Sequence, residues 1–306
     1  MNPDLFQLFS RELPGLELRP DEPLCRHTSF RIGGPAALML LPKSESELSA
    51  ALRCCAAAGL RPAILGGGTN VLAPDAGLPG VVISTRGLRD LRAAEGNALR
   101  AQCGVPLARL AGFACRHGLS GLEFAQGIPG TVGGGLYMNA GAFGGDLSQV
   151  VVSARVMDLD GSVRTLFLPE MELAYRSSAF MRRSCIIVST LFRLTPGDPA
   201  QIAAAMRGFA EKRRATQPLD LPSAGSTFKR PAVGFAAKMI QDAGLKGFRI
   251  GDAAVSEKHA GFVVNLGHAT AADVKQLMEV VRSKVLADTG VLLEPEVRIW
   301  EGEDAE

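Results

Sequence analysis

Residues 121–145 hold nine glycines in 25 positions without repetition, where average usage is about 7%. Glycine admits positive φ and carries no Cβ, so such a segment can turn backbone N–H groups onto an anion or lie against a planar ring. A phosphate-bearing cofactor is one reading; a set of tight turns is the other. A second glycine segment, Gly66-Gly67-Gly68-Thr69-Asn70, follows the strand-like residues 62–65. The dinucleotide fingerprint would need glycine at Val71 and a helix after it, and a P-loop would close in Gly-Lys-Ser/Thr. What remains is a strand-to-loop turn whose N–H groups, with the Thr69 and Asn70 side chains, can hold a diphosphate, or a plain turn.

The surrounding pattern supplies the elements that must position these loops. Ser44-Glu45-Ser46-Glu47 has the form of a capping box, and the spacing of Leu48, Leu52 and Cys55 carries a helix toward Gly59. Strands are expected at 62–65 and 81–83, and a helix from Pro106 to Gly118. Alternating apolar residues over 150–168 break at Asp160-Gly161, a hairpin signal. Asp198-Pro199 opens a helix toward Arg214 that Gln217-Pro218 stops. Further helices are expected over 233–243, ended by Gly244, and from Thr270, with Asp273 three residues on, to Asp288. Residues 291–300 read as a strand, which would put Glu294, Glu296 and Arg298 on one face.

A chain of 306 residues suits two or three domains and a sizeable core. With 33 Lys+Arg against 31 Asp+Glu, and no like-charged block beyond Lys212-Arg213-Arg214, nucleic acid is not an expected partner. The start, MNPDLFQLFSRELPG, lacks the basic and apolar regions of a signal peptide, and Arg53 interrupts the longest apolar stretch, so a cytoplasmic protein is expected. The six cysteines, at 25, 54, 55, 103, 115 and 185, form no CxxC and read as buried thiols. His27, His117, His259 and His268 lack helical ligand spacing, so no metal is expected.

Further segments then narrow the reading: Thr28-Ser29-Phe30-Arg31-Ile32-Gly33-Gly34-Pro35-Ala36, Tyr175-Arg176-Ser177-Ser178, Ser223-Ala224-Gly225-Ser226-Thr227-Phe228-Lys229-Arg230-Pro231 and Leu293-Glu294-Pro295-Glu296-Val297-Arg298. With Leu245-Lys246-Gly247-Phe248-Arg249-Ile250-Gly251, residues 255–265 and the two glycine segments, they occur in the order in which the UDP-N-acetylenolpyruvoylglucosamine reductase family carries its motifs. The chain resembles that family from about residue 20 to 300.

The resemblance implies an α+β chain: an FAD-binding fold of the vanillyl-alcohol oxidase (PCMH) type in two α/β subdomains, plus a smaller α+β substrate-binding domain. Its implied limits are 1–85 with 293–306 for the first FAD subdomain, 86–197 for the second and 198–292 for the substrate domain. FAD is implied as a non-covalent cofactor, since neither glycine segment contains histidine, and NADPH as hydride donor. Hydride would pass from NADPH to FAD, then from flavin N5 to C3 of the enolpyruvyl ether on UDP-N-acetylglucosamine. The product is UDP-N-acetylmuramate, made for peptidoglycan and so for cell-wall growth, cell shape and division. The implied partner is a small nucleotide sugar, with no membrane and no obligatory protein partner.

By motif, the implied catalytic residues are Arg176 for the carboxylate/enolate, Ser226 as proton donor to C2, and Glu296 supporting the enolate and its protonation. Preorganised donors of this kind are usually the largest catalytic term. Flavin contacts are implied for Gly66, Gly67, Gly68, Thr69, Asn70, Gly127, Ile128, Pro129, Gly130, Gly133, Gly134, Asn139, Gly141 and Ala142. Substrate contacts are implied for Tyr175, Gln217, Lys229, Arg230 and Arg298.

Only Tyr137 and Tyr175 are tyrosines, so the chain resembles a shorter subclass without the tyrosine-bearing loop that clamps the substrate diphosphate. Arg230, where the longer form has asparagine, and Lys229 would then hold that diphosphate. Asp252, Ala254 and Gly261 stand where glycine, glutamine and asparagine are expected. Two alternatives are an FAD-dependent carbohydrate or alcohol oxidase of the same fold and a non-catalytic nucleotide-sugar-binding paralogue. Neither accounts for Arg176, Ser226 and Glu296 together.

Overall fold

The computed structural model describes residues 3–301; residues 1–2 and 302–306, at the ends of the first expected subdomain, lie outside the described residues. Its helices are α1 (Pro3–Glu12), α2 (Glu45–Ala57), α3 (Leu107–Arg116), α4 (Val132–Tyr137), α5 (Pro199–Thr216), α6 (Ala236–Asp242) and α7 (Ala271–Thr289). At α2 the Ser44 hydroxyl accepts from the Glu47 N–H, but the Glu47 carboxylate reaches the Lys43 N–H at 2.6 Å, one residue beyond a regular capping box. Thr270 and Asp273 cap α7 reciprocally, and Gly290, with φ +72°, ends it. Asp75 adds a cap that no local motif announces, accepting from the N–H groups of Ala271 and Ala272. Helix α4 runs through three glycines of the glycine-dense segment, which reads as loop.

The chain forms two compact units. The first takes the segment ending at Pro20, Leu38–Gly67 and Gly80–Lys212. A five-stranded antiparallel sheet in it has the order Val163–Phe167, Val151–Asp158, Cys185–Arg193, Ala98–Gln102, Leu91–Ala94, with the expected turn at Asp160-Gly161 joining the first two. Ala63–Leu65 runs parallel to Leu78–Ser84 in a four-stranded sheet. The core gathers Phe9, Leu40, Leu48, Ile83, Leu99, Leu110, Val156 and Phe192.

The second unit takes Asp21–Ala37, Gly68–Pro79 and the chain from Arg213 onward. Its antiparallel sheet has the order Ser223–Ser226, Phe262–Asn265, Ala253–Val255, Arg249–Ile250. Val274, Leu277, Val281 and Val285 of α7 join Phe30, Phe228, Val255, Val263 and Leu293 in one core. No described helix is long and apolar enough to cross a membrane.

Two expectations need correction. The strand expected over 291–300 is limited to Arg298–Ile299, parallel to Val71–Leu72. Pro295 has no N–H for a ladder, and it makes only an isolated bridge with Phe228. Glu294, Glu296 and Arg298 therefore do not share the face of one strand. Of the six cysteines, all unpaired, Cys55 and Cys103 are buried, whereas Cys25, Cys54, Cys115 and Cys185 are half-buried.

Gly68 cannot carry a side chain. Its φ is +66°, and a Cβ there would lie 2.0 Å from the His27 carbonyl oxygen. The left-handed conformation alone costs a residue with a Cβ about 1–2 kcal/mol, before the backbone overlap is relieved. Gly68→Ala is expected to lower the melting temperature of the apoprotein by at least about 4 °C, checked by a thermal melt; an unchanged melt would show that the two backbones do not meet as described.

Candidate active site

In the first unit, the turn after Ala63–Leu65 brings the two glycine segments together. A Cβ on Gly67 would lie 2.9 Å from Gly130 Cα and 3.4 Å from the Thr131 nitrogen, and one on Gly66 3.1 Å from Thr131 Oγ1. Gly127 and Gly130 have φ +77° and +118°, values that favour glycine. The loops therefore meet backbone to backbone. Gly127, Pro129 and Gly134 are exposed and Gly66, Gly67, Ile128 and Gly130 half-buried, which leaves a surface with few side chains.

One polar group is left over beside this contact. Thr131 is 5% exposed, and its Oγ1 has no hydrogen-bond partner among the described residues. A buried hydroxyl without a partner costs about 1–3 kcal/mol, so a ligand that bonds it removes that penalty. Thr131 was not among the expected flavin contacts; the signal was available in its being the sole aliphatic hydroxyl of the glycine-dense segment.

Much of that segment's glycine serves the chain itself. Cβ atoms on Gly133, Gly135, Gly145 and Gly141 would lie 2.8 Å from Cys103 Cβ, 3.0 Å from Leu107 Cδ1, 2.6 Å from Phe124 Cδ1 and 2.5 Å from Asp146 Cβ. Burial pushes the Cys103 thiol up to about 12, so the sulfur under Gly133 stays protonated and inert. Asn139 is buried with both ends of its amide engaged: Nδ2 donates to the Ala174 carbonyl at 3.1 Å and Oδ1 accepts from the Ser148 N–H at 3.1 Å. Its side chain thus anchors the turn that carries Arg176.

That turn closes on itself. The N–H of Ala174 donates to the Ser177 carbonyl and the N–H of Ser177 to the Ala174 carbonyl, at 3.0 and 3.2 Å. Tyr175 and Arg176 form the corner, Arg176 with φ +50°, a conformation uncommon for a residue with a side chain. The Arg176 guanidinium donates to the Gly141 carbonyl at 3.3 Å and lies 5.3 Å from the centroid of the exposed Tyr175 ring. Ser178 Oγ fixes the exit of the turn on the Tyr137 carbonyl at 2.7 Å. Strained backbone around a preorganised cation is where function is to be looked for.

The second unit joins Ser226 and Glu296 through their neighbours. Ser226 pairs with Phe262 after a register break at Gly225, whose φ is +77°, and a bulge of this kind re-aims a side chain. The buried Thr227 then holds the next step: its Oγ1 accepts from the Val263 N–H, and its carbonyl accepts from the Glu296 N–H at 2.8 Å. Asn70 grips the same strand end, its Nδ2 donating to the Glu296 carbonyl at 3.0 Å and its carbonyl accepting from the Arg298 N–H at 2.9 Å. Gly68 accepts from the Ser29 N–H, and Thr69 lies half-buried between these contacts. Asn70, expected at a diphosphate, thus has its amide on the segment that carries Glu296.

Lys229 pairs with Glu294 through its Nζ, while its N–H donates to the Glu294 carbonyl at 2.8 Å. Arg230 lays its guanidinium 4.2 Å from the centroid of the exposed Phe235 ring, a cation–π arrangement. Gln217 follows α5, its N–H donating to the Arg213 carbonyl at 2.8 Å. His27 holds Glu22 through Nε2 at 2.7 Å, and His117 Nδ1 meets the Phe113 carbonyl at 2.9 Å.

Known proteins agree with this layout. A family model described as FAD binding domain matches residues 36–166, and one described as UDP-N-acetylenolpyruvoylglucosamine reductase, C-terminal domain, matches 217–300. UDP-N-acetylenolpyruvoylglucosamine reductase 2 of Symbiobacterium thermophilum is 49% identical over 287 residues, 94% of this chain and 93% of its own. The UDP-N-acetylenolpyruvoylglucosamine reductase of Agathobacter rectalis is 44% identical over 311 residues, 98% and 99% of the two chains. Among solved structures, that of the Thermus caldophilus UDP-N-acetylenolpyruvylglucosamine reductase (MurB) superposes with a TM-score of 0.78 at 31% identity, over 94% of this chain and 99% of its own.

Proposed function

Because this chain belongs to the UDP-N-acetylenolpyruvoylglucosamine reductase family, we infer that it reduces UDP-N-acetylglucosamine enolpyruvate to UDP-N-acetylmuramate with NADPH, using FAD, in peptidoglycan precursor synthesis. The observation that carries this reading is the similarity over nearly the whole chain, through both the FAD-binding and the C-terminal matches. Mass spectrometry of the nucleotide sugar after incubation with NADPH tests it: one UDP-N-acetylmuramate should form per NADPH consumed, and unchanged substrate would overturn it.

The residues present fit the flavin. Gly66 and Gly67 against Gly130 and Thr131 offer a surface with few side chains, and the partnerless Thr131 hydroxyl offers a hydrogen bond for a buried polar atom. Bound there, FAD would supply the two-electron hydride chemistry that links NADPH to C3 of the enolpyruvyl ether. His27 and His117 each commit a ring nitrogen within the chain, in keeping with FAD held non-covalently.

As a C–H bond forms at C3, the π pair of the double bond moves to C2 and into the adjacent carboxylate. Arg176 is assigned to that developing charge: its turn fixes a permanent cation whose planar fork matches a carboxylate. Ser226 is assigned the delivery of a proton to C2, which completes the lactyl ether and leaves an alkoxide to be reprotonated. Glu296 is assigned the support of that transfer, and its backbone, clamped by Thr227 and Asn70, limits where the carboxylate can be.

The chain is proposed to belong to the shorter subclass without a tyrosine-bearing loop. In support, residues 178–197 are taken up by the turn Ala179–Met181 and by Cys185–Arg193, which is paired on both edges. Arg230, with Lys229, Gln217 and Arg298, is then the proposed anchor for the diphosphate, and Tyr175 a contact to the substrate. Charge-assisted hydrogen bonds contribute about 1.5–3 kcal/mol, so Arg230→Ala should weaken nucleotide-sugar binding by roughly 10- to 100-fold. Titration of the oxidised flavin's absorbance with substrate reads this out, and unchanged affinity would remove Arg230 from the role. A cytoplasmic location is proposed, where six unpaired cysteines suit a reducing compartment.

A further inference from the structure

The hairpin beside Arg176 is built against its own turn chemistry. Gly141–Ala142 pairs with Gly145–Asp146, leaving Phe143 and Gly144 as a two-residue turn with φ +54° and +89°. Turns with two positive φ values favour asparagine, aspartate or glycine at the first position, and a bulky residue there is an outlier. Burial does not explain the choice, because Phe143 is 44% exposed. Its ring instead stacks on Phe209 of α5, with centroids 4.7 Å apart and planes 5° from parallel, and Lys212 Nζ lies 5.9 Å from the Phe209 centroid.

The root of this hairpin is Gly141, whose carbonyl accepts from Arg176 Nη2. The other strand is tied down just past Asp146, where the Leu147 N–H donates to the Ala140 carbonyl and the Ser148 N–H to Asn139 Oδ1, both at 3.1 Å. A hairpin fixed at its base and stacked at its tip cannot tilt, so the Gly141 carbonyl keeps its direction. We propose that Phe143 is a positioning residue: its stack on Phe209 holds the Gly141 carbonyl that orients the Arg176 guanidinium toward the substrate carboxylate. The proposal rests on the role of Arg176 proposed above.

Asparagine suits the left-handed turn but cannot stack, so Phe143→Asn separates turn from stack. In that variant the urea midpoint of the apoprotein should hold or rise, and at saturating FAD the bleaching by NADPH should be unchanged. Flavin reoxidation by the enolpyruvyl substrate should slow by about 10- to 100-fold, the range expected for a misplaced group, with a larger effect on kcat than on KM. Phe143→Tyr, which restores the stack, should restore the rate. Combined with Arg176→Ala, Phe143→Asn should add no further loss.

Slow reoxidation in Arg176→Ala with normal reoxidation in Phe143→Asn would overturn this proposal and leave the reading of Arg176 standing. Normal reoxidation in Arg176→Ala would overturn that reading and the proposal with it. An equal further loss when the two are combined would show that Phe143 acts independently of Arg176, against the proposal. A fall in the urea midpoint, or bleaching slowed as much as reoxidation at saturating FAD, would show a merely structural role, also against it.

Discussion

Ser226→Ala should let NADPH bleach the flavin at the normal rate and leave it bleached when the enolpyruvyl nucleotide sugar is added. A positioned proton donor contributes typically 10²–10⁴-fold, so reoxidation is expected to slow by about that factor. The fold gives no competing reason for such a loss. Ser226 is half-buried at the end of an edge strand, and among the described residues no hydrogen bond of the fold runs through its Oγ. Thr227, whose buried hydroxyl accepts from the Val263 N–H, carries the local structure instead. Ser226→Cys, with a more acidic proton in nearly the same place, should recover part of the rate. Rapid mixing of substrate with prereduced enzyme measures it, and normal reoxidation in Ser226→Ala would remove the serine from the proton-transfer step.

The second large effect is a loss of activity without loss of stability. Arg176→Gly should cut the rate of flavin reoxidation by about 10²–10³, as removal of one charge-stabilising donor does in enzymes that build up an oxyanion. The same change places glycine at φ +50°, where the left-handed conformation ceases to cost the roughly 1–2 kcal/mol that a residue with a Cβ bears. Lost contacts, those to the Gly141 carbonyl and the Tyr175 ring among them, act in the opposite direction; these two are partly solvated and offset only part of that gain. The urea midpoint of the apoprotein is therefore expected to stay level or rise while turnover collapses. Arg176→Lys keeps the charge and the strain but loses the planar fork, and should recover only a minor part of the rate. A fall in stability parallel to the fall in activity would mark Arg176 as structural.

The sequence was most legible where a local cap or breaker decides the backbone. Helix α7 begins at Thr270–Asp273 as read and runs to Thr289, one residue past the expected Asp288, before Gly290 ends it, and α3 begins after Pro106. Long-range partners were not legible: Asp75 caps α7 from nearly two hundred residues away, and Pro295 breaks the expected strand because its ring removes a ladder donor. The glycine-dense segment was recognised as a place of close approach, but four of its nine glycines approach Cys103, Leu107, Phe124 and Asp146 of the same chain. Glycine content reports that something is near without saying what. In the candidate site, Asn70 and Asn139 show the same limit. Each was expected at the flavin by its place in a motif, and each directs its amide to a carbonyl in the segment of a proposed catalytic residue, Glu296 or Arg176. Strain at Arg176 and Phe143 was invisible because φ is set by closure of a turn and not by residue type.

The most direct test of the whole account is an anaerobic titration of the purified yellow protein in two steps. One equivalent of NADPH should bleach the flavin, and one equivalent of UDP-N-acetylglucosamine enolpyruvate, added without oxygen, should restore the full flavin band. A flavin that stays reduced with the enolpyruvyl nucleotide sugar and recovers its colour only when oxygen is admitted would contradict the assignment.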